Sequence, residues 1–390
     1  MTIKVDITKT FKSQKNFLLQ ASFSNSDGTL GILGASGSGK SMTLKCIAGI
    51  VQPDEGSILL DDKVLFDSKA KINLKPQLRN IGYLFQNYKL FPKLTVFQNI
   101  TIALHEQKKY SNARIKIRTA ESGMQNIPRA EDIFVLPETC TPARIKELAK
   151  LWIERFELQG MENRYPNELS GGQQQRCALA RMLVLSPRVL LLDEPFSALD
   201  SGLREQMQLR LQTTLSETSA AAIMVSHNRD EVYRLCKNLA VMEDGKIISL
   251  GNTKEIFNNP KNLVTARMTG CKNISPVRKI GGNTYFALDW GLELHTENAV
   301  GRNVKYIGIR AHDIVNGDSK NMIGMNEIEI NVVQQSNDPF ENTVIFTNNQ
   351  AKSPAEKKQI WWKYSKYLEV PIIDKHRKVF FPPQSLLLIE

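Results

Sequence analysis

The sequence predicts an α/β domain followed by a small all-β domain. Three observations carry this. Short, unbroken apolar runs recur in the first part, as in TLGIL (29–33), VLLL (189–192) and AAIMV (221–225), with helix-like segments between them. Runs of that length suit parallel strands buried on both faces, and strands alternating with helices define an α/β domain. A glycine-rich turn, GASGSGKS, directly follows the first of these runs and opens a helix-like segment. After about residue 275 the pattern changes to short alternating segments separated by turn residues, among them TYFALDW, GLELHTE, VKYIGIR, EIEINVV, NTVIFT, KVFF and SLLLIE. That pattern reads as a small all-β domain, with a barrel as the expected closure.

The expected organisation is therefore a first domain over 1–237, its end and a linker over 238–275, and a β-rich domain over 276–390. One stretch interrupts the first domain. Residues of about 106–150 are polar, charged and broken by Pro128, Pro137 and Pro142, which reads as an insertion, partly loop, before a helix through Ile145–Glu157. Nothing in the stretch spells a chemistry, and a tolerated surface elaboration is the expectation.

Composition narrows the function classes. Hydrophobic residues make up 42% of the 390 and charged residues 23%, an ordinary globular mix that can bury a sizeable core. The cysteines, Cys46, Cys140, Cys177, Cys236 and Cys271, are scattered, odd in number and free of any CxxC pair. That disfavours a disulfide framework or a zinc site and suits a reducing cytosol. The first residues, MTIKVDITKT, lack the apolar core of a signal peptide, and no apolar run approaches the ~20 residues of a membrane span. Any membrane role would need partner subunits. The formal net charge of +11 fits nucleic acid, anionic lipid or anionic ligands, or a solvated basic surface. Without a zinc-finger spacing, an RNP motif or a basic helix with interleaved aromatics, the solvated surface is the preferred reading and no nucleic-acid partner is expected.

The chemistry concentrates in a few motifs. Gly34 to Ser41 matches GxxxxGK[ST] in the strand–turn–helix setting that a phosphate-binding loop requires. Backbone N–H groups would wrap the phosphates, Lys40 would reach the β- and γ-phosphates, and the Ser41 hydroxyl would bind Mg²⁺. VLLLDEP (189–195) ends a buried run in two carboxylates. Asp193 can hold Mg²⁺ directly or through water, and Glu194 can deprotonate or orient an attacking water. Gln86 follows the run IGYLF, and His227 ends the strand AAIMV at the strand end where ligands bind in open α/β sheets. In NELSGGQQQRCALAR (167–181), Ser170 reads as a helix N-cap with Gln173 completing a capping box. Gly171 and Gly172 allow close approach to the helix start, which attracts anions. The chain thus carries two phosphate-binding features.

The ordered set GASGSGKS, Gln86, LSGGQQQR, VLLLDEP, SALD and His227 resembles the ATP-binding subunit of ABC transporters over residues 1 to about 270. The resemblance implies a P-loop ATPase with a helical subdomain, with ATP and Mg²⁺ as cofactors. It implies nucleotide contacts from Gly34, Ala35, Ser36, Gly37, Ser38, Gly39, Lys40, Ser41 and Met42. It adds Gln86 to Ser41 and Asp193 around the metal, and His227 and Gln86 to Glu194 in catalysis. Phe11 falls where family members stack an aromatic on adenine, with Phe17 a nearby competitor and a core role open for either. Family members pair head to tail, so the resemblance places Ser170, Gly171, Gly172, Gln173 and Asp200 against nucleotide held by a second copy. The second phosphate-binding feature then belongs to the partner's ATP.

The tail segment YIGIRAHDIV resembles the strand that opens the accessory domain of importer ATPases for sulfate, molybdate, maltose and polyamines, domains that are OB-like or molybdate-binding-like. INLKPQLRNIGYLFQNYKLFPKLTVFQNI, VSHNRDEVYRLC, TGCKNISP and the tail around NEIEINVV and IWWKYSKYLEV look most like the molybdate branch. The resemblance implies an importer ATPase at the cytoplasmic face of the cell membrane. It would work with a second copy of itself, two transmembrane permease subunits and, indirectly, a solute-binding protein. Molybdate is the expected cargo, with sulfate or another solute as the competitor. A soluble ABC ATPase acting on nucleic acid is the alternative of another class, and an oxyanion sensor working through the tail is a third.

Overall fold

The computed structural model describes residues 2–12, 17–105, 141–197, 199–217, 220–297, 303–316, 326–367 and 377–390. The larger part of the expected insertion, 106–140, lies outside the described residues. Contacts divide the chain into two compact units, Met1–Thr253 and Lys254–Glu390, with the division falling inside the stretch 238–275.

The first unit is built on an 11-stranded mixed sheet. Its parallel part contains β3 (Thr29–Gly34), β7 (Ile81–Leu84), β8 (Val189–Asp193), β9 (Ala221–Ser226) and β10 (Asn238–Glu243), in the order β10-β3-β9-β8-β7. Strands β8 and β9 are buried at every residue, as their unbroken apolar runs predict. An arm of largely antiparallel strands continues the sheet through β11 (Lys246–Asn252), β2 (Phe17–Asn25), β1 (Ile3–Phe11), β4 (Glu55–Leu60), β5 (Lys63–Asp67) and β6 (Ile72–Asn73). Strand β1 buries alternate residues, Ile3, Val5 and Ile7, because only one of its faces meets the core. Helix α1 (Lys40–Ala48) packs Leu44 and Ile47 into the same core as Leu30, Ile32, Leu191 and Ile223.

Helix α2 covers 96–105 and α3 is Pro142–Arg155. Thr141 caps α3 by accepting from the Arg144 N–H at 3.3 Å, with Pro142 at the first helical position. Helix α4 (Gly171–Leu183) precedes β8, α5 (Ser201–Glu217) follows it, and α6 (Arg229–Leu235) follows β9. No helix among the described residues is long and apolar enough to cross a membrane.

The second unit begins within the short helix α7 (Thr253–Asn258) and continues through α8 (Leu263–Met268). Its strands form two five-stranded antiparallel sheets among the described residues. This corrects the expectation of a single barrel. Alternation marks strands but does not say which strands pair. Two strands outside the alternating segments named above also enter: β12 (Asn273–Gly281), which contains Pro276, and β19 (Ile360–Ser365), which contains the pair Trp361 and Trp362. Buried asparagine side chains join the two sheets. Asn326 donates to the carbonyls of His295 and Phe381 at 3.0 and 2.9 Å, and Asn273 exchanges two 2.8 Å bonds with the backbone of Trp361. Trp290 and Phe381 pack edge to face within a shared core at 6.0 Å.

Candidate functional site

The parallel strands place their C-terminal ends along one edge of the sheet. There β3 ends at Gly34, β8 at Asp193, β9 at Ser226, and Gln86 lies two residues beyond β7. The turn after β3 reaches α1 through Gly39, whose φ of 103° lies in the left-handed region. A Cβ there would meet the Phe17 ring and the Leu19 side chain at 3.0 Å, so both conformation and space require glycine.

Lys40 is 5% exposed and folds back over the loop, donating to the carbonyls of Gly34 and Ala35 at 2.9 and 2.8 Å. Burial pushes its ammonium below the ordinary lysine range, while Glu194 and then Asp193 pull it back. The Ser38 hydroxyl is buried without a partner. The Ser41 hydroxyl donates to Asp193 Oδ1 at 2.6 Å, and the Tyr83 hydroxyl donates to Asp193 Oδ2 at 2.9 Å. Burial, followed by the Asp193 charge, holds the Tyr83 phenol well above its ordinary range. The hydroxyl and carboxylate of Ser41 and Asp193 are hard oxygen donors side by side, the chemistry that Mg²⁺ takes.

Glu194 adopts φ 47°, a left-handed conformation that is strained for this residue type. Its N–H donates to the Val225 carbonyl of β9 at 3.0 Å, which fixes the turn. Its carboxylate stands between two polar side chains. Gln86 Nε2 donates to Oε2 at 3.2 Å, and His227 Nδ1 lies 3.2 Å from Oε1. Glu194, Gln86 and His227 line one cavity of about 700 Å³ with Phe11, Phe17 and the loop residues Ser36, Gly37, Gly39, Lys40, Ser41 and Met42. Both candidate aromatics therefore face the cavity; their ring centroids are 6.2 Å apart and tilted by 37°.

The helix start at Ser170 forms its capping box as expected. The Gln173 N–H donates to Ser170 Oγ at 3.3 Å, and the Ser170 N–H donates to Gln173 Oε1 at 2.9 Å. Ser170 and Gly171 are exposed. Asp200, also exposed, accepts from the Leu203 N–H at 2.9 Å and so caps α5. Among the described residues, Ser170, Gly171, Gly172, Gln173 and Asp200 do not line the cavity. Gly172 has a packing reason to be glycine beside the close approach the sequence suggests. A Cβ there would come within 2.2 Å of Leu203 Cδ2, so the start of α4 is pressed against the start of α5.

Sequence reasoning missed several positioning residues. Gln175 is fully buried and donates to the Pro195 carbonyl at 2.7 Å, tying α4 to the turn that carries Glu194. Arg181 donates to the carbonyls of Tyr88 and Lys89, each at 2.9 Å, and holds the segment after Gln86 against α4. Arg79 is buried beneath α1 and donates to the Cys46 and Ile47 carbonyls at 3.1 and 2.8 Å; burial pushes it down to about 10. Glutamine and arginine are common in helices and turns, so no spacing in the sequence marks these three. In the second unit, Arg310 and Lys363, the cationic side chains that could serve as donors to an oxyanion, are engaged by the protein itself. Arg310 donates to the carbonyls of Thr269 and Phe257, and Lys363 pairs with Glu341.

This fold and site define a P-loop nucleotide-binding domain. The chain belongs to the ABC transporter family and carries its ATPase domain: the family model described as "ABC transporter" matches residues 20–197. It is 37% identical over 243 residues to a probable sulfate/thiosulfate import ATP-binding protein of Chlorella vulgaris, covering 62% of this chain and 87% of that one. It is 35% identical over 285 residues to an Fe(3+) ions import ATP-binding protein of Haemophilus influenzae, covering 73% of this chain and 70% of the other. A molybdenum import ATP-binding protein of Paramagnetospirillum magneticum is 34% identical over 249 residues, 64% of this chain and 60% of that one.

Proposed function

We propose that the chain is the ATP-hydrolysing subunit of an ABC importer, with an oxyanion, molybdate first, as its cargo. The observation that carries the enzymatic reading is Glu194 held between Gln86 and His227, beside the pair formed by Ser41 and Asp193. In this reading Lys40 leaves the Gly34 and Ala35 carbonyls for the β- and γ-phosphates, and the Ser38 hydroxyl gains a phosphate oxygen. Ser41 and Asp193, with Gln86, would hold Mg²⁺, which would supply charge neutralisation at the phosphates. Phe11, with Phe17 beside it, meets the adenine. Glu194 orients or deprotonates the attacking water, and His227 and Gln86 position it.

Ser170, Gly171, Gly172, Gln173 and Asp200 serve the nucleotide of a second copy paired head to tail. The exposure of Ser170, Gly171 and Asp200 at helix starts outside the cavity supports this. Two permease subunits in the membrane, fed by a solute-binding protein, complete the importer, and the chain sits peripherally at the cytoplasmic face. The three import relatives support the direction of transport. The engagement of Arg310 and Lys363 within the second unit supports a padding role for the tail over oxyanion binding by those two residues.

Molybdate rests on the stretches around IGYLFQNYKLFP, VSHNRDEVYRLC and TGCKNISP. Sulfate is the second reading, favoured by the relative of which this chain covers 87%. Uptake assays decide between them. Cells lacking the gene should lose high-affinity uptake of labelled molybdate and keep sulfate uptake; loss of sulfate uptake alone would sink the molybdate assignment. Co-purification from membranes with a permease tests the importer reading itself.

A further inference from the structure

Both oxygens of the Asp193 carboxylate carry a hydroxyl donor, and the two donors come from different elements. Ser41, on α1, takes Oδ1 at 2.6 Å, and Tyr83, on β7, takes Oδ2 at 2.9 Å. Strands β7 and β8 are paired in parallel with Tyr83 opposite Leu191, which brings the phenol level with the end of β8. The Tyr83 ring is braced by Phe85, whose centroid lies 4.4 Å away. Asp193 is 4% exposed, so an oxygen without a donor there would be a buried anionic acceptor lacking water. The Ser41 bond is the one a metal would displace, since both its atoms are candidate ligands. The Tyr83 bond is on the opposite oxygen and can persist.

Building on the reading of this cavity as a Mg²⁺–nucleotide site, we propose that Tyr83 is a positioning residue for the metal. Its phenol fixes the rotation of the Asp193 carboxylate so that Oδ1 stays turned to Ser41. Groups that orient ligating carboxylates in this way strengthen metal binding by about 10- to 100-fold. Tyr83 touches neither metal nor nucleotide in this role and acts through Asp193.

The test is a Mg²⁺ titration of fluorescent ATP-analogue binding to the full chain, with a parallel measurement in EDTA. Tyr83→Phe keeps the ring and removes only the hydroxyl. The half-saturating Mg²⁺ concentration should rise about tenfold, while metal-free nucleotide binding stays at the wild-type level. In an Asp193→Asn background the same change should leave the Mg²⁺ midpoint where Asp193→Asn alone puts it, because the two act through one carboxylate. An unchanged midpoint in Tyr83→Phe, or an equal loss of metal-free binding, would overturn the proposal and leave the nucleotide site standing. Wild-type chain whose nucleotide binding ignores Mg²⁺ would overturn the site reading and this proposal with it. Thermal unfolding of the ligand-free variant separates these outcomes from a folding defect, and Mn²⁺ binding followed by EPR gives the metal affinity directly.

Discussion

Gln175 and Pro195 are joined by a 2.7 Å hydrogen bond from a fully buried amide to a backbone carbonyl. The bond links the helix that begins at Ser170 to the residue directly after Glu194. A change at the start of α4 is therefore one buried contact away from the carboxylate proposed to handle water.

Gln175→Leu removes that donor and leaves the Pro195 carbonyl unpaired. Unfolding free energy should fall by about 1–3 kcal/mol, the usual cost of a buried unsatisfied partner. ATP turnover should fall about tenfold at saturating ATP with nucleotide affinity unchanged, because the displaced group is Glu194 and not the phosphate loop. Steady-state ATPase kinetics beside a urea melt measure both, and an equal loss of kcat and nucleotide affinity would contradict the link.

Gly172→Ala puts a methyl group 2.2 Å from Leu203 Cδ2. Overpacking of this kind costs about 1–3 kcal/mol. Leu203→Ala in the same chain should recover most of that loss, since it empties the space the methyl needs. A double-mutant cycle by chemical denaturation reads the coupling; additive losses would show that the two residues do not compete for one space.

Glu194→Gln preserves shape and both hydrogen-bonding neighbours but loses basicity. ATP binding should persist while hydrolysis drops by about 10²- to 10⁴-fold, the range for general-base loss. A closed, ATP-loaded dimer should accumulate on size-exclusion chromatography. Near wild-type turnover would remove Glu194 from this role.

Ser170→Arg places a bulky cation at an exposed helix start outside the cavity. Nucleotide binding to the isolated subunit should be unchanged, and ATP-driven dimerisation should fail. A mixed dimer of Ser170→Arg on one copy and Lys40→Ala on the other should retain one working composite site. Loss of ATP binding by the Ser170→Arg monomer would show that Ser170 serves its own nucleotide.

Glu231 gives a pH signature. It is buried, accepts from the Ser226 hydroxyl at 2.6 Å, and burial raises its carboxyl above the ordinary 4.5. As pH rises past 4.5 the unfolded chain releases this proton first, while the folded chain keeps it until its raised value is passed. Over that window the folded state binds more protons, so its stability falls with rising pH. Glu231→Gln should remove this decline, so its stability relative to wild type should climb through the window. Thermal melts of both chains from acid to neutral pH provide the comparison.

The parallel strands and the residues at their ends were readable because burial on both faces demands unbroken apolar runs and phosphate chemistry demands glycines beside Lys40 and Ser41. Asp193 and Glu194 could be placed because they follow such a run directly, and His227 because it lies two residues past AAIMV. Tyr83, Gln175 and Arg181 could not, because their work depends on which atom of a distant element they meet. Gly172 was noticed as a close-approach glycine, but the partner seen here, Leu203, is 31 positions away in another helix. In the tail, alternation revealed most strands but not their division into two sheets, which depends on pairings and on side chains such as Asn273 and Asn326.

Glu194 sits at a φ that glycine or asparagine adopts with far less strain. Holding a glutamate there costs the fold of order 1 kcal/mol, a cost that the proposed role in turnover would offset. Selection for heat resistance and selection for transport therefore pull this position in opposite directions. A library screened for thermostability alone would enrich Gly or Asn at 194 and discard the enzyme. A duplicated copy of the gene, once relieved of transport, would drift the same way, keeping its nucleotide loop and gaining stability as it falls silent.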